Sequence, residues 1–117
     1  AAEGIGAWQK MMPPQPGFVE QCYFHHFDQK GSAAIYSPLL DASLCIRFDP
    51  KQLPFFTQWK MMGVRDYVLG LEPGNCHPDG RAKMRADGLL DFLQPGESRE
   101  FSVTIRLEKG RAALEEK

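Results

Sequence analysis

The chain is poor in the features that announce a partner or a compartment. Charge of neither sign is in excess: 14 Lys and Arg stand against 15 Asp and Glu, a formal net charge of −1. That balance, without any basic stripe, argues against nucleic acid or an anionic membrane surface as a partner. No apolar run approaches the roughly 20 residues that a membrane-spanning helix needs. The start, Ala1-Ala2-Glu3-Gly4, lacks the charged and apolar regions of a signal peptide. It also lacks Met, as expected of a processed chain or one cut from something longer. Cysteine is scarce: Cys22, Cys45 and Cys76 are odd in number and have no framework spacing. Reduced thiols and a cytoplasmic setting are the expectation.

Several chemical signatures are missing as well. Gly4-x-Gly6 has neither the third glycine nor the βαβ pattern of a dinucleotide site, and there is no P-loop and no Gly-x-Ser-x-Gly. Cys22, His25, His26, Cys76 and His77 lack paired ligand spacing, so a zinc site would need ligands assembled from distant strands. Neither metal nor cofactor is expected. There is no internal repeat and no low-complexity segment.

The 117 residues, 43% hydrophobic and 25% charged, suit one globular domain. Pro13, Pro14 and Pro16 make residues 1–17 irregular. From Phe18 the chain reads as strands broken by turns. Gln21–Phe27 is aromatic-rich, and Ala33–Ser37 ends at Pro38. Leu44, Ile46 and Phe48 alternate with Ser43, Cys45 and Arg47, the period of two of a strand with one buried face. Phe55–Met62 and Tyr67–Glu72 follow. Leu89–Leu93 leads through the turn Gln94-Pro95-Gly96-Glu97 into Arg99–Leu107, where Phe101, Val103, Ile105 and Leu107 share one face. About seven strands at hairpin-like spacing and no helix predict an all-β, antiparallel sandwich over residues 1–107. Residues 108–117 form a charged tail, frayed or briefly helical. A partial sandwich exposes strand edges and an apolar face, which self-association or a preceding part of the protein would cover.

The stretch Trp59 to Asn75 carries the most information. If Gly63–Asp66 forms a four-residue hairpin loop, Met62 pairs with Tyr67, Trp59 with Gly70 and Thr57 with Glu72. Trp59, Gly70 and Glu72 then share a face, with room beside the indole. A flat aromatic, a gap and a carboxylate form a floor for a small sugar: the ring meets C–H groups and the acid accepts from hydroxyls. A one-residue slip would move Trp59 to the opposite face from Glu72 and bring Gln58 and Lys60 onto the Glu72 face instead. Each residue also has a plainer reading. Glu72 is a strand-end acid, free in solvent or paired with Arg81 or Lys60. Trp59 is a core aromatic, Glu20 a surface ion pair, and His25 and His26 packing residues on opposite faces. Met11, Met12, Met61 and Met62 read as core filler.

Phe55-Phe56-Thr57-Gln58-Trp59-Lys60-Met61-Met62, then Tyr67-Val68-Leu69-Gly70-Leu71-Glu72-Pro73-Gly74-Asn75, then Pro78-Asp79-Gly80 resemble the C-terminal part of aldose 1-epimerases of the galactose mutarotase-like family, in its divergent branch. Looser likeness runs from Trp8 to Leu107. The resemblance implies the C-terminal part of a large antiparallel supersandwich of ~250–350 residues, a size credible for one domain. It implies a small-molecule sugar as partner and interconversion of its anomers by acid/base ring opening, an isomerase activity of carbohydrate metabolism. Glu72 resembles the family's base, with Pro78-Asp79 following at a longer spacing. Glu20 is the nearest counterpart of a substrate-binding acid, Trp59 would stack on the sugar, and Lys60 or Asn75 would hold further hydroxyls. The family's catalytic histidine lies well upstream, and no position here matches its motif. The alternative is a carbohydrate-binding or structural β-module without turnover.

Overall fold

The computed structural model describes residues 5–114. Six strands form two three-stranded antiparallel sheets: β1 (Gln21–His25), β4 (Phe55–Met62) and β5 (Tyr67–Gly74) in the order β1-β4-β5, and β2 (Gly31–Ser37), β3 (Ala42–Phe48) and β6 (Val103–Lys109) in the order β2-β3-β6. The all-β antiparallel sandwich is therefore what the alternating sequence specifies. One short helix, α1 (Arg81–Ala86), interrupts the strands.

The sheets meet through aromatic side chains. Phe48 of β3 stacks on Phe56 of β4, ring centroids 5.5 Å apart, and Phe27 packs edge-on to both at 5.3 Å. Ile46, Leu53, Ala33 and Leu71 complete this core. Gly31 belongs to it through what it lacks, because a Cβ there would run into the Phe48 ring.

The rest of the inner face of β1-β4-β5 is polar yet buried, and the N-terminal segment covers it. Gln58 donates to the carbonyl of Trp8 at 2.9 Å and meets His25 Nε2 at 2.9 Å. Lys60 donates to the carbonyl of Ala7 at 3.0 Å. A 3-10 helix over Ile5–Gln9 supplies these acceptors, and Trp8 packs edge-on to His25. Gln15 then pairs with the start of the β4–β5 loop through its bond to the Met62 carbonyl. The prolines keep residues 10–17 out of regular structure; the turn before them is helical.

Three expectations need correction. Leu89–Leu93 is not a strand. Arg99 holds this segment as a loop, donating to the carbonyl of Phe92 at 2.7 Å and pairing with Asp91 and Glu97. The foreseen turn is present, Glu97 N–H bonding to the Gln94 carbonyl, but the strand after it starts at Val103 rather than Arg99. That strand continues to Lys109, where its pairing with Ala42 ends. Beyond it the turn Ala112–Leu114 is 3-10 helical with Ala113 buried, in keeping with the helical alternative for this segment. Residues 115–117 of the expected tail lie outside the described residues. Finally, α1 was unforeseen. Gly80, at φ +87°, turns the chain into a run of good helix formers, and Met84 buries their apolar side.

Among the described residues strand β6 is covered on neither face. Val103, Ile105 and Leu107 align beside Phe48, Ile46 and Leu44, yet Ile105 is 67% and Leu107 77% exposed. Its outer edge has no neighbouring strand among the described residues.

Candidate functional site

The β4–β5 pairing follows the four-residue loop: Met62 opposes Tyr67, Trp59 opposes Gly70 and Thr57 opposes Glu72. On the other side, β1 places Cys22 beside Trp59 and Phe24 beside Thr57. Opposed residues share a face, so the outer face carries the rows Phe24–Thr57–Glu72 and Cys22–Trp59–Gly70. The slipped register is excluded.

Gly70 shapes this face. A Cβ at that position would overlap the Glu72 carboxylate and come within 3.2 Å of Trp59 Cβ. The Glu72 side chain therefore lies back over Gly70, toward the indole, in space that only glycine leaves open. Among the described residues Glu72 makes no hydrogen bond and no ion pair, neither with Arg81 nor with Lys60.

Glu20, just before β1, reaches the same place. Trp59 Nε1–H donates to Glu20 Oε2 at 2.7 Å. Indole and carboxylate line an open depression of about 470 Å³ together with Met61, Arg65, Asp66 and Tyr67. Met61 thus faces the site and is not core filler; its neighbour Met62, on the inner face, is. Cys22 shares this face, opposite Trp59 on the neighbouring strand. Lost hydration at the sheet surface, then the charges of Glu20 and Glu72, push its thiol above the usual range.

Two proposed sugar ligands are elsewhere. Lys60 points to the opposite face from Trp59, 0% exposed, and holds Ala7. In a strand, neighbours in sequence alternate sides, so Trp59 outward puts Lys60 inward. Asn75 lies past the end of β5, on the side of Asp91. It lines a larger depression of about 600 Å³ beside the Arg99 loop. That hollow shares no residue with the Trp59 depression, and the Arg99–Asp91 pair gives it a structural reason to exist. The Trp59 face has the groups suited to chemistry.

The histidines are also placed. His25 is inward on Gln58, and His26 is exposed beside Asp28 at 3.1 Å. His77 sits against Phe24 and Phe55, ring centroids 4.4 Å from each, with Nδ1 buried and unbonded. Among the described residues no group of three or more His, Cys, Asp or Glu could hold a metal ion, and no helix is long and apolar enough to cross a membrane. Sequence reasoning missed Cys22, Arg65 and Asp66 as parts of this face. The register it used already places Cys22 there once β1 is paired with β4.

The chain matches, over residues 1–107, a family model described as Domain of unknown function (DUF4432). No curated protein matches it. A crystal structure from Klebsiella pneumoniae subsp. pneumoniae MGH 78578, provisionally named an aldose 1-epimerase, is similar at 29% identity and a TM-score of 0.85. The match takes in 97% of this chain and 31% of that one, so the chain spans about a third of that protein's length. The likeness to aldose 1-epimerases seen around Trp59 and Glu72 therefore holds in three dimensions.

Proposed function

Because the chain belongs to the DUF4432 family and its fold is aldose 1-epimerase-like, we propose that it binds a sugar on the β1-β4-β5 outer face and that Glu72 is the base of an anomer-interconverting site. One observation carries the reading: Glu72 is exposed, lies over Gly70 beside Trp59 and has no ion pair among the described residues. An indole face supplies apolar area to the C–H groups of a pyranose, and an adjacent free carboxylate accepts from a hydroxyl. Glu72 would take the proton of the C1 hydroxyl, and the ring would open to the aldehyde, rotate at C1 and reclose. Glu20 holds the indole and offers its second oxygen to a ring hydroxyl. The setting on this reading is the cytoplasm, where free Cys22, Cys45 and Cys76 stay reduced.

Ring opening also needs a proton at the ring oxygen. None of the described histidines is hydrogen-bonded to Glu72, and this favours a second reading, a module that binds sugar without turning it over. Polarimetry of freshly dissolved α-D-glucose and α-D-galactose separates the two. On the enzyme reading the protein speeds mutarotation above buffer and Glu72→Gln lowers the rate about 10²–10⁴-fold. Equal rates for both proteins would remove Glu72 as the base. Sugar binding without any rate above buffer selects the module.

A further inference from the structure

The charge around Trp59 is lopsided. Glu20 and Asp66 line the depression, and Arg65 is the only cation among its described lining residues. Glu72 adds a third carboxylate two residue pairs along the sheet, the next pair on the same face. Neither Glu20 nor Glu72 is neutralised by an ion pair among the described residues. The cation next to Trp59 in sequence, Lys60, is on the far side of the sheet and holds the Ala7 carbonyl. The thiol of Cys22 registers both Glu20 and Glu72, so the two charges bear on one spot. That spot is beside the indole, since Cys22 is the cross-strand partner of Trp59.

We infer that this face selects sugars without a negative substituent: neutral aldoses and aldoses bearing an ammonium group bind, whereas phosphorylated and carboxylated ones are repelled. The inference rests on the carbohydrate reading of the same face. Its physical basis is the like-charge contact. A phosphate or carboxylate carried by a sugar stacked on Trp59 comes within a ring's width of two unneutralised carboxylates. At such distances in a water-exposed setting the repulsion weakens binding about tenfold at low salt. Arg65, at the rim, offsets one negative charge and not the set.

Isothermal titration of the whole chain with D-glucose, D-glucosamine, D-glucuronate and D-glucose 6-phosphate tests this, at about 10 mM and about 1 M salt, where the screening length falls from ~30 to ~3 Å. The expected order at low salt is glucosamine at least equal to glucose, and both about tenfold tighter than the two anions. The gap closes at high salt and narrows in Glu20→Gln. Anionic sugars binding as tightly as glucose overturn the inference while the carbohydrate reading stands, and so does a gap that salt leaves unchanged. Failure of all four sugars to bind overturns both.

Discussion

Trp59 and Glu20 lie 39 residues apart in the chain and 2.7 Å apart in space, indole nitrogen to carboxylate oxygen. The bond fixes the plane of the indole in the depression and leaves one carboxylate oxygen free for a ligand. Glu20→Ala removes the acceptor. Sugar affinity is expected to fall about tenfold, the worth of a charge-assisted hydrogen bond, with Glu20→Gln losing less. Titration calorimetry reads both, and an Ala variant with wild-type affinity would show that the indole needs no such support.

Gly70→Ala forces the Glu72 carboxylate out of its place over the strand. On the enzyme reading, a shift of this order costs roughly 10-fold to 100-fold in rate. Polarimetry measures it, alongside circular dichroism to confirm that the sheet has formed. A folded Gly70→Ala protein with unchanged mutarotation would mean that the position of Glu72 is irrelevant to turnover.

Cys22 reports the field on the face without any sugar. Its folded pKa is raised, partly by Glu20 and Glu72, so the folded chain holds this proton more tightly than the unfolded one. The resulting stability is present below the unfolded thiol pKa and is lost as pH rises through the folded value. Iodoacetamide labelling across alkaline pH, read by peptide mass, follows the thiolate. In Glu72→Gln the labelling curve for Cys22 moves to lower pH. Coincident Cys22 curves in the two proteins would separate Glu72 from that field.

Lys60 makes the opposite kind of prediction. It is buried on the inner face and ties down Ala7. Lys60→Ala should speed amide exchange in residues 5–16 and leave sugar affinity within about twofold, since a surface on the other side of a sheet is untouched. An affinity loss as large as that of Glu20→Ala would return Lys60 to the binding site.

Phe56 tests the core. It is stacked on Phe48 and edge-on to Phe27. Phe56→Ala is expected to cost about 3–5 kcal/mol in denaturant unfolding. A loss under about 1 kcal/mol would mean that the two sheets are held together elsewhere.

The β4–β5 hairpin was legible because its chemistry is local. A four-residue loop fixes the register, and register fixes which side chains share a face. The same logic condemns Lys60 as a neighbour of Trp59, although the family likeness drew it in. Leu89–Leu93 misled because an apolar run resembles a strand until Arg99 is seen to take its carbonyl and Asp91. The run Arg81–Ala86 is made of helix formers, but its shortness kept the period from showing. The contact between Glu20 and Trp59 could not be read along the chain, since only the pairing of β1 with β4 creates it.

The two sheets differ in what they leave open. The β1-β4-β5 sheet presents acids and an indole on a face; the β2-β3-β6 sheet presents an edge without a neighbouring strand among the described residues and an exposed apolar row at Ile105 and Leu107. They touch through the small aromatic core of Phe27, Phe48 and Phe56. A strand laid along β6 would lengthen one sheet while leaving the hydrogen-bond ladder of the other intact. Growth of the architecture and retuning of its ligand surface can therefore proceed as separate evolutionary variables, each altered by substitutions the other does not feel.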